Sequence, residues 1–465
     1  MKRIIYSLFI SVISICVNAQ IQLPAIFTDG MVLQQNSKVQ MWGWGNPSEN
    51  MSIVASWASN DTLKSVVDNQ GKWKVSLPTA KAGGPYDIKI IGMYETKVIN
   101  DVKLGEVWLC SGQSNMEWSV NMGIMNGEEE AKNASCDNVR ILHMPKQGAD
   151  TPQVNANTKW EVASPASMRR TSATAYFFAR YLTEQLDVPV GIIVAAWGGT
   201  PAEVWTPREV IMNDEVLSKN KHKDYPWWPI EPGVLFNQMI NPVIPYQLAG
   251  CIWYQGEANH ENASSYSYLM SRMIGEWRAR FNQDFPFLYV QIAPHTYNSK
   301  NNTPALLREQ QQLMLNDVEK TGMINISDLV ENVKDIHPRN KRAIGERLAF
   351  MALDKVYGKF TQPYESPYLK DAYISGKDIV VEFAGNFENL LSTTKKIEGL
   401  KVEDADGVHD GIKARIKGSK LMVSIRGLKA PFKLYYCFDD STIGSLRSDK
   451  MIPVLPFRAE KIEKR

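Results

Sequence analysis

Cysteine and histidine are scarce, at 5 and 6 of 465 residues. No Cys-x-x-Cys, His-Glu-x-x-His or acidic calcium loop occurs, so none of the compact spacings that hold a metal or a redox disulfide is present, and no cofactor is expected. Cys110 and Cys251 stand in apolar runs and read as buried small hydrophobes. Charge of one sign is missing too: 52 Lys and Arg face 50 Asp and Glu, which gives no electrostatic basis for binding nucleic acid. Apart from Ile4 to Val17, no apolar run approaches the length of a membrane span. That run follows Lys2 and Arg3 and precedes Val17-Asn18-Ala19, the layout of a secretory signal cleaved after Ala19. Export to the periplasm or the exterior is therefore expected, and bulky Ile15 before Cys16 argues against lipoprotein processing. Internal repeats are absent, and so is Gly-x-Ser-x-Gly, because Met116 stands where its second glycine would be.

What is present is a serine at the end of a strand. Glu106-Val107-Trp108-Leu109-Cys110 is apolar enough to read as a strand, and Gly112-Gln113-Ser114-Asn115-Met116 follows as a turn. A serine hydroxyl attacks a carbonyl only if a base takes its proton and donors hold the resulting oxyanion. Among the histidines, His337 has the setting of such a base. It lies in Asp335-Ile336-His337-Pro338, ahead of a helix predicted over Arg339 to Tyr357, with Pro338 suited to its first turn. A helix N-terminus favours the neutral imidazole, and Asp335 is near enough in sequence to orient the ring. His143 reads as part of a strand and His222 as part of a solvated polar loop. His260 and His295 follow strand-like runs and could border a pocket, and His409 reads as a turn residue.

Two further apolar strands feed glycine turns: Gly191 to Trp197 before Gly198-Gly199-Thr200, and Gly250 to Tyr254 before Gln255-Gly256-Glu257. A glycine amide and a glutamine side-chain amide, with the Ser114 amide, are donors able to surround a tetrahedral oxyanion. Glu257 reads as a second group able to orient His337, as a substrate contact, or as a buried hydrogen-bonding acid.

In order along the chain, Gly112-Gln113-Ser114-Asn115-Met116, Trp197-Gly198-Gly199-Thr200-Pro201-Ala202-Glu203-Val204-Trp205, Trp253-Tyr254-Gln255-Gly256-Glu257 and Asp335-Ile336-His337-Pro338 resemble the sialate O-acetylesterase family of SGNH-type hydrolases. The resemblance extends to Leu23-Pro24-Ala25-Ile26-Phe27 upstream and Pro453-Val454-Leu455-Pro456-Phe457-Arg458 downstream. It implies Ser114 as nucleophile, His337 as base, and Ser114, Gly199 and Gln255 as oxyanion donors. Many SGNH hydrolases place an aspartate three residues before the histidine, where this chain has Lys334. The third member is therefore Asp335, Glu257 or a backbone carbonyl, or the pair works as a dyad.

Apolar strands and helices alternate between residues 105 and 358, as in a parallel sheet covered on both faces. The expected class is α/β: a three-layer SGNH-hydrolase-like domain (105–358) with a parallel central sheet. It follows a signal peptide (1–19) and an N-terminal β domain (20–104) and precedes a C-terminal β-rich region (359–465). Thr171 to Leu186, Ser264 to Phe281 and Thr303 to Asp317 are predicted helices. Through the resemblance, the expected function is hydrolysis of O-acetyl esters of sialic acid, with the 9-O-acetyl ester foremost, through an acetyl-enzyme. The expected partner is an O-acetylated sialic acid or glycan. A xylan or other polysaccharide acetylesterase would use the same machinery with another entrance, to which Trp205, Trp227 and Trp228 could contribute. The alternative of a different class is a carbohydrate-binding protein on an inactive hydrolase scaffold.

Overall fold

One strand, Thr96–Gly112, runs through two environments. In this computed structural model, which describes residues 20–58 and 61–465, residues 96–101 alternate in exposure and residues 102–112 are buried throughout. Alternation marks a strand with one wet face, and a continuous apolar run marks one covered on both faces. The first part pairs with Gly83–Ile91, and the second enters a larger sheet. The boundary expected between residues 104 and 105 thus falls inside an unbroken strand, and the expected leader (1–19) lies outside the described residues.

The larger sheet has the spatial order Thr321–Ile324, Phe287–Val290, Gly250–Tyr254, Thr96–Gly112, Val190–Ala196, Cys136–His143, Trp160–Ala163. All neighbours run parallel except the last pair. Successive side chains point to opposite faces, and each face has its own helices. Trp108, Ile192 and Ile252 share a core with Phe178 and Leu348 of helices Ala173–Leu186 and Lys341–Lys355. Leu109, Ile193 and Trp253 pack with Trp277 and Leu307 of Tyr266–Phe281 and Thr303–Asp317. The chain is therefore α/β, with additional β regions before and after the helical layers.

These helices begin where capping chemistry allows. Ser172 accepts a hydrogen bond from the Ala175 amide, so the helix expected from Thr171 starts at Ala173. Asn340 likewise accepts from the Ala343 amide at 3.1 Å and starts the last helix at Lys341. This corrects the expectation for Pro338. It lies before the cap rather than in the first turn, because an asparagine N-cap satisfies a free N–H that proline cannot reach.

The N-terminal β region, in which Lys38–Trp44 pairs along its length with Lys72–Pro78, adds Met41, Ile53 and Val75 to the core that holds Trp253. The C-terminal region keeps its own core of Ile379, Val381, Val402, Leu421 and Leu434 between two sheets. It is tied to the helical layers by buried Arg308, which donates to the carbonyls of Cys437, Asp439 and Asp440.

Candidate active site

Register brings three of the four motifs together. Gly112 pairs with Ala196 on one side and with Tyr254 on the other, so three parallel strands end side by side. The chain departs to opposite sides of the sheet from this central strand, and such a switch point opens a crevice beyond the strand ends. Gly112 makes the turn possible: its φ is +140°, and a Cβ there would lie 2.2 Å from the Tyr254 carbonyl oxygen. Ser114, Gly198 and Gly256 follow directly. A Cβ on Gly198 would sit 3.2 Å from the Ser114 Cβ, so the two turns are in contact.

The loop after the edge strand Thr321–Ile324 carries the fourth motif back over this point. His337 Nε2 lies 3.0 Å from Ser114 Oγ. The imidazole is sandwiched against Trp118, with ring centroids 3.7 Å apart and planes inclined by 18°. Its other nitrogen, Nδ1, is 3.6 Å from Asp335 Oδ1, the same oxygen that accepts the His337 backbone N–H at 2.9 Å. Asp335 therefore holds the loop more tightly than the ring. Burial and the ammonium of Lys341 pull the imidazole down to about 4, against the opposing charge of Asp335. A neutral imidazole beside a serine hydroxyl can accept its proton at ordinary pH.

Glu257, expected as an alternative group to orient His337, is placed differently. Its Oε1 accepts from Asn115 Nδ2 at 2.6 Å and its Oε2 has no partner among the described residues. Burial raises its carboxyl above the usual range. It lines the same cleft, but no hydrogen bond joins it to the imidazole.

Gln255 is corrected more sharply. Its side chain is fully buried, its Nε2 donates to the Thr200 carbonyl at 3.2 Å and to Asn259 Oδ1 at 2.7 Å, and its Oε1 accepts from Tyr266. Both amide hydrogens are spent inside the protein, so this group does not reach an oxyanion beside Ser114. Of the paired glycines, Gly198 donates its amide to Glu117 Oε2 at 2.6 Å, which leaves Gly199. Gly199 has φ +72°, and a Cβ there would lie 2.2 Å from the Trp228 ring, so only glycine fits.

The resulting cleft encloses about 580 Å³. Ser114, His337, Trp118 and Glu257 form its inner wall, and Lys221, His222, Lys223, Tyr225 and Trp228 its outer wall. His222 is not solvated as expected: its Nε2 is 3.1 Å from buried Glu203. His260 borders the cleft and meets Thr303 Oγ1 at 3.0 Å, whereas half-buried His143 meets Thr171 Oγ1 at 2.9 Å. Cys110 is wholly buried, and burial pushes its thiol well up, which suits packing rather than attack. The four described cysteines are free. No cluster of three or more metal-ligating side chains occurs among the described residues, nor any helix long and apolar enough to cross a membrane.

Sequence reasoning passed over Trp118, Glu117 and Lys341. Glu117 and Trp118 follow the serine by three and four residues, one helical turn away, which was the available signal. Lys341 stands four residues after the histidine, and nothing in sequence distinguishes it from a solvated helix lysine.

A family model described as carbohydrate esterase, sialic acid-specific acetylesterase, matches residues 104–354. The sialate O-acetylesterase of Homo sapiens is 29% identical over 392 residues, covering 74% of this chain and 73% of its own length. That of Rattus norvegicus is 28% identical over 403 residues, with 73% and 74% covered. The crystal structure of a carbohydrate acetylesterase from Xanthomonas citri superposes with a TM-score of 0.86 at 32% identity, covering 95% of this chain and all of that one.

Proposed function

The chain belongs to the sialic acid-specific acetylesterase family of carbohydrate esterases, and from that premise we propose that it removes O-acetyl groups from sialic acid through a serine-linked acetyl-enzyme. The observation that carries the mechanism is the 3.0 Å approach of His337 Nε2 to Ser114 Oγ in the inner wall of the cleft. Ser114 attacks the acetyl carbonyl while His337 takes its proton. The oxyanion rests on the backbone amides of Ser114 and Gly199, and loss of such a donor ordinarily costs about 10²- to 10³-fold in rate. His337 then gives the proton to the departing sugar oxygen. A water activated by the same imidazole hydrolyses the acetyl-enzyme and restores the serine.

Asp335 acts chiefly on the loop and only weakly on the ring, so the machinery is a Ser-His pair steadied by Asp335. Glu257, whose second carboxylate oxygen is buried without a partner among the described residues, supports the Asn115 amide from behind the pair. The fold is read as SGNH-hydrolase-like between residues 105 and 358, flanked by β regions at 20–104 and 359–465. Residues 1–19 are read as an export signal, on the basic and apolar pattern of Lys2 to Ala19.

The test is acetate release by the purified mature chain and by Ser114→Ala, on 9-O-acetylated sialic acid beside acetylated xylan. Ser114-dependent release from the sialate is expected. Release mainly from xylan would keep the mechanism and move the substrate. No release from either, or equal release by Ser114→Ala, would overturn the reading and favour a carbohydrate-binding scaffold or another nucleophile.

A further inference from the structure

Behind the Ser114–His337 pair lies a buried polar chain that the proposed mechanism does not use. Asn115 is fully buried, and its side chain is engaged in three directions, with both amide hydrogens used. Its Nδ2 donates to the backbone carbonyl of Ile336 at 3.0 Å and to Glu257 Oε1 at 2.6 Å. Its Oδ1 accepts from Lys341 Nζ at 2.6 Å. Asn115 directly follows the serine and Ile336 directly precedes the histidine. One carboxamide therefore bridges two loops more than 200 residues apart in sequence, at the positions next to the two reacting atoms.

Lys341 is an unusual residue to find here. It is fully buried at the start of the last helix, its ammonium lies 5.2 Å over the Tyr254 ring, and Asn115 is its hydrogen-bond acceptor among the described residues. A buried cation is costly unless it is paired and hydrogen-bonded. Here it fixes which way round the Asn115 amide sits. Burial pulls Lys341 down to about 7 against the charges of Glu257, Asp335 and Glu331, and while it is an ammonium, which only donates, Oδ1 faces it and Nδ2 faces Ile336 and Glu257.

We propose that Asn115, oriented by Lys341, is a positioning residue that locks the nucleophile turn to the loop carrying the base, and so sets the Ser114–His337 separation. This rests on the reading of Ser114 and His337 as nucleophile and base. Loss of the lock lets the two loops move independently, and a displacement of about 1 Å at reacting atoms costs on the order of 10²-fold. The electrostatic consequence is separate. His337 faces Lys341, Asp335 and His295, while Lys341 faces Glu257, Asp335 and Glu331. Removing the Lys341 charge therefore makes the imidazole easier to protonate.

The experiment uses the full mature chain carrying Asn115→Asp, Lys341→Met and the double substitution, with kcat and KM measured on 9-O-acetylated sialic acid. Asn115→Asp keeps the shape and the acceptor for Lys341 but removes both N–H donors. It is expected to lower kcat about a hundredfold with KM within about threefold. Lys341→Met should lower kcat in the same way and move the acid limb of the pH profile to higher pH, a shift that lost packing alone would not produce. The double variant should cost no more than the larger single, because the two residues act as a unit. Folded single variants with unchanged kcat, or costs that multiply in the double, would overturn the proposal. Should Lys341→Met not fold, Asn115→Asp decides on kcat alone. A Ser114→Ala control that kept activity would instead overturn the underlying reading, and so the two failures are distinguishable.

Discussion

The two walls of the cleft are built on different principles. In the inner wall, Ser114 and Glu257 follow the ends of hydrogen-bonded strands, with Gly112, Ala196 and Tyr254 in register, and the His337 loop is tied to them through buried Asn115. The outer wall, about residues 220–230, hangs from side chains. Asn220 and His222 reach Glu203, and Asn262 holds the Lys221 carbonyl at 2.8 Å. The rest is an aromatic cluster of Tyr225, Trp227 and Trp228, in which Trp227 is 62% exposed. Backbone ladders hold atoms in place more firmly than isolated side-chain contacts, which open locally at lower cost. The difference assigns chemistry to the inner wall and substrate selection to the outer one.

The strongest test of that division is His337→Ala. Removing a base that works as a unit with its serine is expected to lower kcat by about 10⁴- to 10⁶-fold with little change in KM. No substitution confined to residues 220–230 should approach that loss, and one that did, with the fold intact, would break the comparison. The pH profile sharpens it. The base must be neutral, and His337 is pulled down to about 4. Activity should hold level through mildly acidic pH and fall only as pH drops through that value, in the parent and in outer-wall variants alike.

Gly199 belongs to both walls, since it directly follows Gly198, which touches the Ser114 turn, while its own Cα backs onto Trp228. Gly199→Ala is expected to lower kcat by about 10²- to 10³-fold, because the methyl group meets the indole and the backbone cannot keep φ +72° without strain. Combining it with Trp228→Ala should recover part of the loss. Alone, Trp228→Ala should raise KM about tenfold for a sugar ester and leave kcat and the hydrolysis of a small aryl acetate nearly unchanged. Equal effects on both substrates would place Trp228 with the chemistry instead.

Much of this arrangement was legible in the sequence where a local rule decides it. Periodicity and flanking turns located Gly250–Tyr254 and Thr303–Asp317, and a glycine before Ser114 marked a turn only glycine can make. What was not legible depends on side-chain direction. Gln255 follows its strand where expected, yet a strand end sends successive side chains to opposite sides. Its amide went inward, where it donates to the Thr200 carbonyl and to Asn259 Oδ1. Lys341 was hidden for a similar reason. Its helix position resembles many solvated lysines, and only the packing of two distant loops makes it a buried ammonium. The start of the same helix was misplaced because a proline signal was read ahead of the asparagine cap that follows it.

The smallest expected effect tests what holds the outer wall. Burial opposes ionisation of Glu203, but His222, Asn220 and Asn259 outweigh it and keep the carboxyl below its usual range. A carboxyl depressed by folding contributes stability that is complete above its unfolded value and fades as pH falls through the folded one. The anchor should therefore survive mild acid and loosen only below the ordinary glutamate range. Glu203→Gln keeps the size of the side chain and removes the charge opposite His222. It is expected to cost about 1–3 kcal/mol in a denaturation measurement and to change KM about two- to threefold at constant kcat. Amide exchange should quicken across residues 220–230 and stay slow in Thr96–Gly112. Quickened exchange in both would mean that the two walls open together, and the distinction between backbone-built and side-chain-built walls would fall with it.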